Sequence, residues 1–139
     1  MELRQIMVVA GEASGDQHAA EVVAELARRR SDLRFFGMGG PKLAAQGVEL
    51  IYGAHEVSVM GFTEVLPKLR RILGVMKGLE RCAERRRPDL AILVDIPDFN
   101  LRLARSLKRL GIRVVYYISP MVWASRKGRV KQIGQRVDR

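Results

Sequence analysis

The chain has 139 residues, is 47% hydrophobic and carries a formal net charge of +10, so it can bury one core, as a single domain or as one lobe of something larger. No apolar run approaches a membrane span, no signal peptide precedes the first strand, and the one cysteine, Cys82, has neither a disulfide partner nor a metal-ligand neighbour, which predicts a reducing cytoplasm. The charge is local: residues 1–100 hold 14 Lys/Arg against 14 Asp/Glu, and residues 101–139 hold 11 Lys/Arg against Asp138 alone.

Residues 5–10 read as a buried strand that breaks at Gly11-Glu12-Ala13-Ser14-Gly15-Asp16. A helix follows, with Ala19, Val22, Val23, Leu26 and Ala27 on one face and Arg28-Arg29-Arg30 at the end where cations are favoured. The two glycines are expected to let the backbone turn tightly and bring amides near a ligand, and Ser14 or Asp16 to cap the helix. The loop is neither a dinucleotide fingerprint nor a P-loop. Two acids beside the helix start favour sugar hydroxyls over a phosphate there.

A strand over 33–38, a short helix over 41–45 with Pro41 in its first turn, and a strand over 48–52 come next. His55 is a lone loop histidine with no second ligand at metal spacing, and reads as structural or solvated. Over 62–79 a helical wheel gathers Phe62, Val65, Leu66, Leu69, Ile72, Leu73, Val75, Met76 and Leu79 into an arc of about 180°, wider than the roughly 100° one packed face needs. Two readings fit. The helix packs between the sheet and a neighbouring element, or part of the arc lies on a membrane surface flanked by Lys68, Arg70, Arg71 and Lys77. Pro67 places the helix start close to itself, and Gly74 and Gly78 weaken the later turns.

The informative stretch is Leu90-Ala91-Ile92-Leu93-Val94-Asp95-Ile96-Pro97-Asp98-Phe99-Asn100. Five apolar residues entered through Pro88-Asp89 predict a strand buried on both faces of a parallel sheet. Asp95 then stands at its carboxyl end, where open α/β sheets bind ligands, although a turn or cap role is the plainer alternative. Asp98 or Asn100 is expected to cap a helix over 99–110 that stops at Gly111. A strand over 112–118 leads to Ser119-Pro120-Met121-Val122-Trp123, and the basic segment 125–133 looks helical. Its cluster of Arg126, Lys127, Arg129, Lys131 and Arg136 suits phosphate on a nucleic acid, a lipid headgroup or a sugar, or is simply a solvated face. The chain stops at Arg139 without a helix stop or closing strand, which suggests a cut inside a larger fold.

Four segments together, residues 11–16, Met60-Gly61, residues 95–100 and residues 119–124, resemble in order and separation the amino-terminal part of the lipid-A-disaccharide synthase family, from about Ile6 to the last residue. Met121, Ser125 and Pro67 stand where the family pattern has Ser, Trp and Gly. The resemblance implies a Rossmann-like α/β lobe, a parallel sheet flanked by helices, which is the amino-terminal lobe of a two-lobed (GT-B type) glycosyltransferase whose donor-binding carboxyl-terminal lobe is absent. It implies an inverting, metal-independent and cofactor-independent transfer from UDP-2,3-diacylglucosamine to 2,3-diacylglucosamine 1-phosphate (lipid X), by an enzyme that is cytoplasmic and peripheral to the anionic inner membrane.

Asp95 matches the aspartate proposed to deprotonate the acceptor hydroxyl. Glu12, Ser14, Gly15, Asp16, Asp98, Asn100, Ser119, Trp123, Arg126 and Arg129 are carried over as substrate-binding, and Phe62, Val65, Leu66, Leu69, Ile72 and Leu73 as membrane-facing. The competing readings are another two-lobed sugar-nucleotide enzyme, such as a UDP-sugar epimerase, and a basic nucleic-acid-binding module. The second lacks a recognised reading motif and a run of stacking aromatics.

Overall fold

A computed structural model of the protein describes residues 4–54 and 65–117. Strands β1 (Arg4–Ala10), β2 (Leu33–Gly39), β3 (Glu49–Gly53), β4 (Leu90–Val94) and β5 (Arg113–Tyr117) alternate with helices α1 (Ala13–Arg29), α2 (Pro41–Ala45), α3 (Val65–Arg86) and α4 (Pro97–Arg109). The strands form one parallel sheet in the order β3-β2-β1-β4-β5. The α/β expectation and the order of strands and helices within the described residues stand. The expected helix over 125–133 and the loop residue His55 lie outside them.

Period-two alternation divides the core. Ile6, Val8 and Ala10 of β1 and Ile92 and Val94 of β4 face α1 and α2, packing with Ala19, Val23 and Leu43. Met7, Val9, Ala91 and Leu93 face the other way, into a larger cluster with Leu79 and Cys82 of α3 and Leu103 and Leu107 of α4. Both faces of the sheet are therefore covered, which is why its strands read as unbroken apolar runs.

Helix α3 runs seven residues past the expected end at Leu79, to Arg86. Cys82, Ala83 and Arg86 continue the face set by Val75, Met76 and Leu79 at helical spacing. At its end the Arg86 guanidinium donates to Gln5 of β1 and Glu49 of β3 and lies 4.1 Å over the Phe36 ring of β2. Gly78, read from sequence as a weak point, is a contact: a Cβ there would collide with the Tyr52 hydroxyl and ring. Pro67 sits in the first turn, where a missing N–H costs nothing.

Candidate active site

In this strand order the connection leaving β1 crosses to one face of the sheet and the connection leaving β4 to the other, so a crevice opens between their carboxyl ends. Ala10 pairs with Val94, so the two loops that carry the sequence motifs leave the sheet side by side. Gly15 seats α1 against them. A Cβ on it would lie 3.5 Å from the Val94 side chain and 3.7 Å from Ala10. Neither Gly11 nor Gly15 has a positive φ, so the expected tight glycine turn is replaced by close helix-to-strand packing at Gly15. Glu12 is the N-cap residue of α1 without a side-chain cap bond, and it and Ser14 are exposed at the crevice.

Asp95 follows β4 directly and is 8% exposed. It and Ile96 both take left-handed backbone conformations, with φ of 50° and 35°. Each such residue costs on the order of 1–3 kcal/mol, so the surroundings must enforce the turn. The Asp95 N–H donates to the Tyr117 carbonyl at 2.9 Å, and the Asp95 carbonyl accepts from Asn100 Nδ2 and from the Tyr116 hydroxyl, each at 2.9 Å.

The expected cap of α4 is corrected. Its N-cap is Ile96, with no side-chain cap bond, and Pro97 and Asp98 occupy the first turn. Asp98 is exposed there, where a carboxylate meets the positive end of the helix dipole. Asn100 is fully buried and turns its amide back onto the Val94 and Asp95 carbonyls at the strand end.

Asp16 is also reassigned. It is 3% exposed, and its carboxylate caps α2 rather than α1, accepting from Gly40 N at 2.8 Å, Lys42 N at 2.9 Å and Leu43 N at 3.1 Å. A Cβ on Gly40 would stand 2.7 Å from Asp16 Oδ2, so glycine is what lets the carboxylate approach. The sequence hid this because the partners lie 24 to 27 residues apart. Asp16→Ala is expected to lower unfolding free energy by about 2–3 kcal/mol by orphaning these amides. Chemical denaturation checks it, and an unchanged midpoint would remove the cap.

One pair at the crevice has no sequence motif. The His18 ring on α1 lies 5.7 Å, centroid to centroid, from that of Tyr117, which is 42% exposed at the end of β5. Parity carries the signal. Tyr116 points into the α3/α4 core, so Tyr117 must point toward α1, where His18 follows Ser14 by one turn.

Of the other expected site residues, Ser119, Trp123, Arg126, Arg129 and Phe62 lie outside the described residues, and only the backbone of Val65 and Leu66 is described. Leu69 and Leu73 are 47% and 42% exposed. On a wheel they stand about 80° and 120° from the middle of the buried face, beyond what the sheet covers. Ile72 differs from the expectation: it is half-buried against the α3/α4 core, so it is not part of the exposed stripe. No helix among the described residues is long and apolar enough to cross a membrane.

The lipid-A-disaccharide synthetase family profile matches residues 6–139. A lipid-A-disaccharide synthase of Myxococcus xanthus is 67% identical over 135 residues, covering 97% of this chain and 35% of its own length. One of Anaeromyxobacter dehalogenans is 58% identical with the same coverage. The chain thus spans 35% of the length of these curated relatives. In structure it resembles the calicheamicin glycosyltransferase CalG4, with a TM-score of 0.56, 15% identity and coverage of 98% of this chain and 43% of that one. It also resembles a UDP-GlcNAc 2-epimerase of Neisseria meningitidis, with a TM-score of 0.51, 12% identity and coverage of 90% and 35%. At such identities these two likenesses concern the fold alone.

Proposed function

The chain belongs to the lipid-A-disaccharide synthetase family, and on that premise we propose that it forms the amino-terminal part of an inverting glycosyltransferase of lipid A biosynthesis. The whole enzyme joins UDP-2,3-diacylglucosamine to 2,3-diacylglucosamine 1-phosphate, giving the β-1′,6-linked disaccharide and UDP. The observation that carries the reading is Asp95, a largely buried residue at the carboxyl end of β4, at the topological switch point between β1 and β4.

In the transfer, the acceptor 6-hydroxyl oxygen attacks the anomeric carbon of the donor. The new C–O bond forms as the bond to the UDP phosphate breaks, with its electron pair leaving on UDP, and the hydroxyl proton passes to the Asp95 carboxylate. Glu12 and Ser14, exposed at the start of α1, offer hydrogen-bonding groups to sugar hydroxyls. The uridine diphosphate is held by a carboxyl-terminal lobe beyond these 139 residues, and Ser119, Trp123, Arg126 and Arg129 complete the acceptor side.

The test uses residues 1–139 joined to the carboxyl-terminal two thirds of the Myxococcus xanthus relative, hereafter the joined protein. Given both substrates it should release disaccharide and UDP in equal amounts. UDP release that does not depend on the acceptor would contradict the reading.

Diacylated substrates reside in a bilayer, and the protein works at the cytoplasmic face of the inner membrane as a peripheral protein. Leu69 and Leu73 are exposed one turn apart on α3 beside exposed Arg70 and Lys77, a pattern suited to an anionic surface. Replacing both leucines with serine should weaken co-sedimentation with anionic liposomes by about tenfold or more, since each apolar side chain gains on the order of 1.5 kcal/mol or more on burial. Unchanged binding by the folded variant would remove α3 from the membrane contact.

A further inference from the structure

We infer that Asn100 and Tyr116 are positioning residues that act through Asp95, holding its peptide in the left-handed conformation that aims the carboxylate into the crevice. The inference rests on the reading of Asp95 as the base and deepens it. Two successive non-glycine residues with positive φ persist only where the surroundings over-determine them. Here the Asp95 peptide is held from three directions. Asn100 Nδ2, on α4, donates to the Asp95 carbonyl at 2.9 Å and to the Val94 carbonyl at 3.1 Å. The Tyr116 hydroxyl, on β5, donates to the same Asp95 carbonyl, and the Asp95 N–H donates to the Tyr117 carbonyl.

Neither side chain has a route to a substrate. Asn100 is 0% exposed and Tyr116 7%. Asn100 Oδ1 is buried with no hydrogen-bond partner among the described residues. An apolar side chain would leave no such orphan, so what the amide adds is its grip on two carbonyls at the strand end. The two bonds that Asn100 and Tyr116 make to the Asp95 carbonyl come from side chains, and losing either loosens the turn toward negative φ and shifts the carboxylate. A displacement near 1 Å can cost about 10²-fold in rate.

The test is made in the joined protein. Tyr116→Phe, which removes one hydroxyl, should lower kcat by about tenfold, and Asn100→Ala by about a hundredfold, with KM for both substrates within about twofold. In the Asp95→Asn background, Tyr116→Phe should cause no further loss of kcat, which a general structural defect would not reproduce. In residues 1–139, the Asp95 ¹³Cα resonance of the variants should move away from its left-handed value while those of β1 and β2 stay in place.

If Asn100→Ala does not fold, Tyr116→Phe decides alone. Undiminished kcat in Tyr116→Phe, a loss confined to KM, or a loss that simply adds to that of Asp95→Asn overturns the inference. High turnover by Asp95→Asn itself would instead overturn the underlying reading, so the two failures are distinguishable.

Discussion

Asp95→Asn in the joined protein is expected to lower kcat by about 10²- to 10⁴-fold, roughly 3–5 kcal/mol of barrier, while binding of both substrates changes by less than about twofold. The magnitude is that of general-base catalysis, because a sugar hydroxyl is a poor nucleophile until its proton has a destination. Asparagine suits the test because it is nearly isosteric with aspartate and keeps the Asp95 N–H and carbonyl bonds that hold this turn. The fold should therefore survive while proton acceptance is lost. Initial rates with labelled acceptor, alongside equilibrium binding of each substrate, check both halves. A large rise in KM with kcat preserved would make Asp95 a binding residue instead.

Residues 1–139 alone are expected to show no transfer above the uncatalysed rate. The chain spans 35% of the length of these two relatives, and in the proposed reading the substrates react in a cleft between two lobes. Asp95 and an acceptor site without a held donor leave the reaction bimolecular. That forfeits the effective molarity of about 10⁵–10⁸ M that orientation can supply. The same assay, run at equal molar concentration on the 139-residue chain and the joined protein, decides it. Turnover of the short chain within about tenfold of the joined protein would show that one lobe suffices.

The sheet was legible because it is covered on both faces. Residues 90–94 are a continuous apolar run of strand length bounded by turn residues, the pattern of a strand buried on both faces. The position of Asp95 followed from the strand end. Its left-handed backbone did not, since the hydrogen bonds that enforce it come from Asn100, in the next helix, and from Tyr116 and Tyr117, some twenty residues on.

Asp16 illustrates the limit of local patterns. Beside a helix start it reads as a cap, and it is one, but for a helix 24 residues away. The apolar excess of α3 was visible on a helical wheel, whereas the split between packed Ile72 and exposed Leu69 and Leu73 depends on how far the sheet extends beneath the helix. His18 carried no motif, and strand parity at Tyr116 and Tyr117 was the one sequence signal for its ring contact with Tyr117.

Turnover of Asp95→Asn and Asp98→Asn, measured side by side in the joined protein at saturating substrates, bears most directly on the site. Both carboxylates lie within four residues at the same strand end, and only their placement separates them. Asp95 is largely buried at the switch point, and Asp98 is exposed in the first turn of α4. Losing the Asp98 charge forfeits about 0.3–1 kcal/mol of helix-dipole interaction and should leave most of the activity. The predicted result is kcat lower by about 10²-fold or more for Asp95→Asn and within about threefold of wild type for Asp98→Asn. An inactive Asp98→Asn beside a nearly wild-type Asp95→Asn would contradict the assignment and move the base one turn into α4.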